Sequence, residues 1–359
     1  MINTLTSFRF FAALAVFLFH SGGIYGPYGL GSAGVQFFFI LSGFILTYTY
    51  YGKFDRLNKS DVKHFYKARF AKIYPMHFLT FLLAIPWVLM NLNPDGLYIF
   101  IAGMDLLLLQ SYVPISDVYF SFNNVSWTLS AEVFFYAIFP FILYLFGNKI
   151  IKNMKKTSAI LIFSWILLFS LQLLLPQEKE NTLFVWLLNI FPAMRSFEFI
   201  IGIVLGLLFL KLSKKNSIFT FKVANILEIG CLAVLAVLLF ISKSLPLPNL
   251  KGLYFTPIWT LIIFVFAYNK GVISKIISHK YFVYLGQISF SFYMIHLLVL
   301  LYMRNVTTGP VPSYIVSLII TLVLSSLAFK FYEEPMRKLI KYRKKKEVAQ
   351  NKPFAVDVS

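Results

Sequence analysis

Charge, cysteine and recognisable metal or nucleotide motifs are all scarce in this sequence. Charged residues make up 13% of its 359 residues and hydrophobic residues 59%, whereas a soluble domain has about 25% charged and about 45–50% apolar residues. The single cysteine, Cys231, rules out a disulfide framework and a thiolate metal cluster. The five histidines are scattered, and there is no His-Glu-x-x-His, P-loop or Rossmann glycine motif. These absences argue against an ordinary soluble domain and leave a metal site without support.

Apolar runs long enough to cross a bilayer recur along almost the whole chain. A spanning helix needs about 20 mostly apolar residues, and lipid cannot satisfy the backbone of a lone strand, so each run is predicted to be a helix. No small-residue cleavage site follows the first run, so we do not interpret it as a signal peptide. The runs are 5–23, 33–52, 74–92, 97–113, 125–147, 157–175, 184–210, 224–242, 253–269, 281–303 and 313–333. The sequence therefore predicts an all-α polytopic integral membrane protein.

Lysine and arginine are concentrated in alternate connecting segments. The basic segments are 53–72, 148–156, 211–222, 270–280 and the part from 330 onward. They carry seven, four, four, three and nine Lys or Arg residues, 27 of the 33 in the chain, and the positive-inside rule places them in the cytoplasm. The segments 93–96 and 113–124 then both lie outside, so the run 97–113 between them is predicted to be re-entrant or interfacial. About ten transmembrane helices remain, with both termini cytoplasmic.

The net charge of +19 would suit a nucleic acid, but its distribution argues for a membrane. Short basic clusters between apolar runs are typical of cytoplasmic loops, so we expect the lipid bilayer as a partner and no nucleic acid. We divide the chain into a membrane domain, 1–338, and a basic cytoplasmic tail, 339–359. The tail includes KYRKKK at 341–346, is expected to lie near anionic headgroups, and is expected to carry no extramembrane domain after it.

Ionisable residues within the predicted spans are the natural functional candidates, because each costs a few kcal/mol to insert. They are Arg9, His20, Asp105, Glu132, Arg195, Glu198, Glu228 and His296. Arg9 and His20 are 11 residues apart, which places them on nearly the same helix face and about 16 Å apart along the axis. A cation near the inner side could hold a CoA phosphate while the thioester reaches a base near the outer side. Alternatively, Arg9 is a snorkelling flank charge and His20 an interfacial polar residue.

Several segments resemble the acyltransferase 3 family of membrane acyltransferases, many of which act on surface polysaccharides. Arg9 and His20 match the family's Arg-x10-His signature. The other matching segments are GVQFFFILSGF (34–44), YKARFAKIYPMH (66–77), SWTLSAEVFFY (126–136), SFSFYMIH (289–296) and YEEPMRK (332–338). The resemblance covers most of residues 5–338 and keeps the family's order. It implies an O-acyltransferase that uses acyl-CoA, here taken as acetyl-CoA, as co-substrate.

The resemblance also implies roles for individual residues. Arg9, Arg69 and Lys72 are expected to hold CoA phosphates, and Lys67 is a candidate to assist them. Lys72 stands where the family usually has the second arginine of Arg-x-x-Arg, and lysine offers a point charge instead of a bidentate fork. Alternatively, segment 53–72 is only a positive-inside loop or an interfacial helix. His20 is expected to act as general base on a sugar hydroxyl, with an acyl-histidine relay as the other route.

Glu132 is the second predicted catalytic residue. By helical rise its depth is compatible with contact to His20, where a carboxylate would orient the imidazole. The alternative is a structural hydrogen bond to Ser126, to Ser130 or to a neighbouring helix. Arg195 and Glu198, at i and i+3, are expected to neutralise each other. The small residues Gly202 and Gly206 that follow them suit close helix packing. Asp105 is expected to line an aqueous pocket, Glu228 to have no special role, and His296 to line the pore or to be a core histidine.

Together these features predict an O-acetyltransferase in the bacterial cytoplasmic (inner) membrane. It would move an acetyl group from cytoplasmic acyl-CoA to a hydroxyl of a surface or lipid-linked polysaccharide such as O-antigen, capsule or exopolysaccharide. Two alternatives remain: a transporter or flippase for a lipid-linked glycan, and an acyltransferase for a hydrophobic small-molecule glycoside. Paired broken helices in two matching halves, which many transporters have, are not visible in the sequence.

Overall fold

The protein is built from helices. A computed structural model describes residues 2–22, 29–91, 96–174, 182–213, 219–242, 244, 251–304 and 313–341. The α-helices are α1 Asn3–His20, α2 Leu30–Tyr50, α3 Lys59–Asn91, α4 Gly96–Leu106, α5 Ser116–Tyr119, α6 Trp127–Lys152, α7 Met154–Leu174, α8 Thr182–Asn189, α9 Pro192–Ser213, α10 Phe221–Ser242, α11 Lys251–Tyr254, α12 Thr256–Ala267, α13 Val272–Ile277, α14 Lys280–Met303 and α15 Ser313–Ala328. Two 3₁₀ turns, Gln110–Tyr112 and Asn124–Ser126, precede α6, and a π-helix, Phe329–Glu333, follows α15. No β-strand occurs among the described residues.

Nine of the described helices are long and apolar enough to cross a membrane, so the chain is an all-α, multi-pass membrane protein. Two shorter apolar helices accompany them, α4 and α12. The 11 residues of α4 rise only about 16 Å, against a hydrocarbon thickness of about 30 Å. This length agrees with a re-entrant or interfacial segment at 97–113, while α12 occupies 12 residues of the predicted span 253–269.

The number of crossings and their orientation stay predictions. The predicted tail beyond Lys341, including most of KYRKKK, lies outside the described residues. The same is true of all or most of the predicted outer segments 93–96, 176–182, 243–252 and 304–312. Within the described part, α2 and α14 are the central helices, with 72% of their apolar windows buried, whereas α7 has 6% and belongs to the periphery.

Glycines set the close approach of the central helices. A Cβ on Gly43 of α2 would collide with the carbonyl oxygen of Phe199 in α9, and one on Gly202 of α9 would collide with the carbonyl oxygen of Ile40. The two backbones therefore touch where only hydrogen fits between them. The close packing predicted for the small residues of α9 is thus confirmed. It places the N-terminal part of α9, with its buried ion pair, against the middle of α2.

The start of α6 lies deep inside the helix bundle. Asn123, just before it, donates from Nδ2 to the carbonyl oxygen of Met294 at 2.9 Å, in the middle of α14. One turn further on, the hydroxyls of Thr128 and Tyr293 lie 3.2 Å apart. The turns that precede α6 are buried as well, and their polar groups bond to one another: Ser126 Oγ donates to Asp105 Oδ1 at 2.8 Å. Because α6 begins inside the bundle, its side chains lie deeper than they would on a helix that begins at the surface.

Candidate active site

Two cavities lie inside the bundle and share part of their walls. The inner cavity, with about 410 Å³ of empty space, is lined by Arg9, Val35, Phe38, Phe39, Thr128, Leu129, Glu132, Ser289, Phe290 and Tyr293. The outer cavity, with about 1170 Å³, is lined by residues that include His20, Val35, Trp127, Arg195 and Tyr293. Val35 and Tyr293 line both spaces and are themselves buried. They form the boundary at which the two cavities meet.

Helix α1 connects the two cavities. Arg9 lines the inner one and His20 the outer one, and the helical rise separates them by about 16 Å along the axis. The prediction that both residues face the interior along one helix is therefore confirmed. Because α1 is continuous from Asn3 to His20, the distance between cation and imidazole is fixed by one rigid element.

Glu132 lies beside Arg9 and not beside His20. It lines the inner cavity with Arg9, its Oε2 accepts a hydrogen bond from Tyr136 at 2.8 Å, and its charge acts on Arg9, Arg69 and Lys72. The hydrogen bond of the His20 ring goes to His296. The expected pairing of Glu132 with His20 is corrected accordingly. It assumed that α6 begins at the outer surface, whereas the first turn of α6 lies level with the middle of α14.

Lys72 and Glu333 form an ion pair next to this cavity. Glu333 is buried, and its second oxygen accepts a hydrogen bond from Ser291 Oγ at 2.6 Å. The π-helix that ends at Glu333 shifts the register of the chain by a residue, a distortion often found at functional sites. The expectation for Lys72 as a phosphate ligand did not foresee this partner, since Glu333 is 261 residues away in sequence.

Arg69 is surrounded by aromatic rings. Its guanidinium lies 5.8 Å from the ring centre of Tyr50 and 5.9 Å from those of Phe65 and Tyr136, within the range of cation–π attraction. Its buried Nε has no hydrogen-bond partner among the described residues. A buried donor without a partner is costly, so Arg69 is suited to receive an acceptor group from a ligand.

The charges of this cluster do not cancel. Arg9, Arg69 and Lys72 bring three formal positive charges, whereas Glu132 and Glu333 bring two negative ones. One positive charge is left over within these five side chains. A partly desolvated cluster of net charge +1 favours the binding of an anion.

His20 and His296 form a histidine pair. Nδ1 of His20 lies 3.0 Å from Nε2 of His296, and Nδ1 of His296 lies 2.6 Å from the carbonyl oxygen of Tyr293. A carbonyl oxygen only accepts, so neutral His296 donates from Nδ1 and accepts at Nε2. His20 then donates from Nδ1, which leaves a lone pair on its Nε2. These bonds hold His20 in a tautomer that can remove a proton. The sequence placed His296 in the pore or the core without linking it to His20.

The outer cavity combines aromatic surface with amides. Phe19, Tyr119, Phe120 and Trp127 contribute rings, and Asn124 and Asn189 contribute amide groups. Its cation, Arg195, bonds to Glu198 at 2.8 Å, which confirms the predicted ion pair. The guanidinium also lies 5.2 Å from the ring centre of Phe39. Aromatic faces with amide donors and acceptors suit a ligand that has both apolar faces and hydroxyls, such as a sugar.

The remaining ionisable candidates belong to the framework. Asp105 is buried among the turns before α6 and does not line either cavity, so the expected aqueous pocket around it is not one of these two. Glu228 accepts hydrogen bonds from the backbone N–H groups of Gly271 and Ser274, at 2.9 and 3.0 Å, and thereby caps α13. No group of three or more His, Cys, Asp or Glu side chains within the described ranges is arranged to hold a metal ion.

A helical membrane protein that buries cations, carboxylates and an oriented histidine around two adjoining cavities has the construction of a membrane-embedded enzyme. The family model described as "Acyltransferase domain", Acyl_transf_3, matches residues 2–330. The chain therefore belongs to the acyltransferase 3 family, which confirms the resemblance drawn from the sequence motifs.

Curated relatives carry acyltransferase names. The chain is 32% identical over 234 residues to acyltransferase MdmB of Streptomyces mycarofaciens, covering 58% of this chain and 57% of that protein. It is 24% identical over 368 residues to peptidoglycan O-acetyltransferase OatA of Listeria monocytogenes, covering 94% and 56%. O-acetyltransferase OatA of Staphylococcus aureus is also 24% identical, with 93% and 57% covered. The chain thus spans little more than half the length of these relatives. No solved structure matches it.

Proposed function

We propose that this protein is an O-acetyltransferase of the bacterial cytoplasmic membrane that moves an acetyl group from cytoplasmic acetyl-CoA to a hydroxyl of a surface or lipid-linked polysaccharide. The observation that carries the proposal is the meeting of two cavities at Val35 and Tyr293, with Arg9 on one side and His20 on the other. This arrangement allows a donor and an acceptor to approach one boundary from opposite sides. The names of the OatA relatives support acetyl as the group and a glycan as the acceptor.

The donor side is assigned to the charged cluster around Arg9. The surplus positive charge attracts the diphosphate of CoA, and Arg69 offers a buried donor without a described partner. A charge-assisted hydrogen bond to phosphate contributes roughly 1.5–3 kcal/mol. Lys72 contributes positive charge while it stays paired with Glu333. Glu132 holds Tyr136 and balances Arg9, so its proposed part in catalysis is to fix the donor and not to orient the base.

The chemistry is assigned to His20. Its Nε2 removes the proton of the acceptor hydroxyl as the hydroxyl oxygen bonds to the thioester carbonyl carbon. When the tetrahedral intermediate collapses, the carbon–sulfur bond breaks and the CoA sulfur leaves, taking the proton back from His20. His296 Nε2 accepts the hydrogen bond from His20 Nδ1 throughout and stabilises the imidazolium that forms on His20. In the relay alternative, His20 Nε2 attacks the thioester carbonyl carbon, the carbon–sulfur bond breaks as the CoA thiolate leaves, and the acetyl group then passes from the imidazole to the acceptor hydroxyl, whose proton goes to the thiolate. An acetylated His20 would be detectable by mass spectrometry of a rapidly quenched reaction.

The acceptor is assigned to the outer cavity. Its volume of about 1170 Å³ and its five Phe, Tyr and Trp rings suit one or more sugar rings, and its two asparagines provide hydrogen-bonding groups for hydroxyls. A polysaccharide chain can lie across such a cavity with one hydroxyl next to His20.

The experiment that tests this function measures both substrates. Surface glycans from cells with and without the protein are compared by mass spectrometry for O-acetyl groups, and purified protein in lipid nanodiscs is supplied with acetyl-CoA labelled in the acetyl group. We expect glycan acetylation to depend on the protein and label to move from CoA to the isolated glycan. If glycans are unchanged and acetyl-CoA is neither bound nor consumed, the proposal fails and a transporter becomes the better explanation.

A further inference from the structure

A concave basic surface follows the first turns of α3. It is lined by Leu57, Lys59, Val62, Lys63, Tyr66, Lys67 and Phe70, and encloses about 1000 Å³ of open space. We call it the lysine groove. Its three lysines are spaced at i, i+4 and i+8, so their side chains follow one face of the helix at intervals of about 6 Å. None of its lining residues is acidic; the nearby Asp61 is not among them and lies on the opposite side of the helix by its position in the helical turn.

The length of α3 places this groove outside the hydrocarbon core. The helix has 33 residues, about 50 Å at the usual rise, whereas a spanning segment needs only about 20 residues. The apolar part of α3 begins near Phe70, so the first dozen residues extend beyond the membrane core. Lys59 and Lys63 are exposed there, on the same side of the bundle as the basic end of α6.

The lysine groove leads toward the charged cluster. Tyr66 and Phe70 also line a further cavity of about 880 Å³, distinct from the inner and outer cavities, whose wall includes Arg69 and Tyr136. Tyr136 donates to Glu132, which lines the inner cavity with Arg9. Shared lining residues therefore join the lysine groove to the cavity that contains Arg69, and the hydrogen bond between Tyr136 and Glu132 joins that cavity to the inner one.

We propose that the lysine groove binds the 3′-phosphorylated adenosine of acyl-CoA, while the diphosphate lies at Arg69 and the pantetheine arm continues toward the inner cavity. The inference rests on the proposed function, since it assigns a site to its donor. The ligand carries phosphates at two separated positions, the 3′-phosphate and the diphosphate, which suits two separated places of positive charge, the row of lysines and Arg69. Phe70 is 48% exposed and lies where the groove continues inward, so its ring offers an apolar face to adenine.

The test uses the full chain in nanodiscs of neutral phosphatidylcholine, with a second series in nanodiscs that also contain anionic phosphatidylglycerol, and measures binding by calorimetry. Three ligands are compared: CoA, dephospho-CoA, which lacks the 3′-phosphate, and pantetheine, which lacks the nucleotide. The test variant combines Lys59→Gln, Lys63→Gln and Lys67→Gln. A second variant replaces the same lysines by arginine, which keeps the positive charge. A thermal melt of each variant confirms that it is folded.

A matched control removes the same charge elsewhere on the same side of the bundle. Lys149, Lys152 and Lys155 are exposed around the junction of α6 and α7 and line none of the cavities described above. Their combined replacement by glutamine lowers the net charge by the same three units. It therefore separates a specific site from the general attraction of a basic surface for anions.

We expect the glutamine variant to bind CoA about tenfold more weakly, because each exposed charge contact is weak by itself and three are removed together. The difference in affinity between CoA and dephospho-CoA should shrink in that variant, because removing the lysines and removing the 3′-phosphate abolish the same contact. Pantetheine binding should not change. The arginine variant and the control should bind CoA like the wild type, and the loss should be smaller at high salt.

Three outcomes would overturn the inference. One is that the glutamine variant binds CoA as tightly as the wild type or no more weakly than the control does. Another is that it loses CoA, dephospho-CoA and pantetheine equally. The third is that its affinity for CoA differs from that of the wild type only in nanodiscs that contain anionic phosphatidylglycerol, which would assign the groove to lipid headgroups. If the wild type binds no CoA at all, the donor of the proposed function fails as well, and that result is distinct from the other three.

Discussion

Replacing His296 tests the histidine pair most directly. In the structure its Nε2 accepts the hydrogen bond from His20 Nδ1 at 3.0 Å, and that bond becomes charge-assisted when His20 takes up a proton during transfer. A hydrogen bond to a charged group contributes roughly 1.5–3 kcal/mol, which corresponds to about ten- to hundredfold in rate. We therefore expect His296→Leu to lower kcat by about that factor and to leave the KM for acetyl-CoA unchanged.

The conservative variant His296→Gln separates orientation from packing. The glutamine amide oxygen reaches about the position of Nε2 and still accepts from His20, so this variant should recover most of kcat, whereas leucine of similar size should not. The assay is steady-state acetyl transfer at varied acetyl-CoA, run beside CoA calorimetry to verify that both variants are folded. Full activity of the leucine variant, or equal loss in both folded variants, would show that His296 does not orient His20.

The other predictions concern the base, the donor contact and the topology. His20→Ala should abolish acetyl transfer while CoA still binds, and an active variant would exclude His20 from the chemistry. Arg69→Ala should weaken CoA binding by roughly ten- to hundredfold, because it removes a charge-assisted phosphate contact of roughly 1.5–3 kcal/mol; unchanged affinity in calorimetry would contradict that role. In a background without Cys231, cysteines at the exposed positions Gly96 and Ser116 should both react with a membrane-impermeant reagent from outside. If only one reacts, the segment between them crosses the bilayer and the ten-crossing prediction is wrong.

Properties that depend on nearby residues were predictable. Apolar runs of membrane length gave an all-α membrane protein, because the bilayer leaves a lone apolar segment no other way to satisfy its backbone. The 11-residue spacing of Arg9 and His20 placed both on one face of α1, and both line the interior. The pairing of Arg195 with Glu198 followed from their i, i+3 separation. Each of these conclusions needs only the period of a single helix.

The prediction for Glu132 failed where two helices had to be compared. A rise per residue gives the depth of a side chain only if the start of its helix is known. The start of α6 is set by contacts with α14, where Asn123 and Thr128 meet Met294 and Tyr293. Those partners are more than 160 residues away in sequence. Glu132 was therefore placed one cavity too far out.

The sequence by itself determined the class of the protein, its family and the residues that can carry charge or protons within the membrane. The tertiary structure alone decided which of those residues act together: Glu132 with Arg9, Lys72 with Glu333, and His20 with His296. The physical reason is that hydropathy and helical period are local properties of the chain. The relative register of packed helices depends instead on how distant side chains and glycines fit against one another.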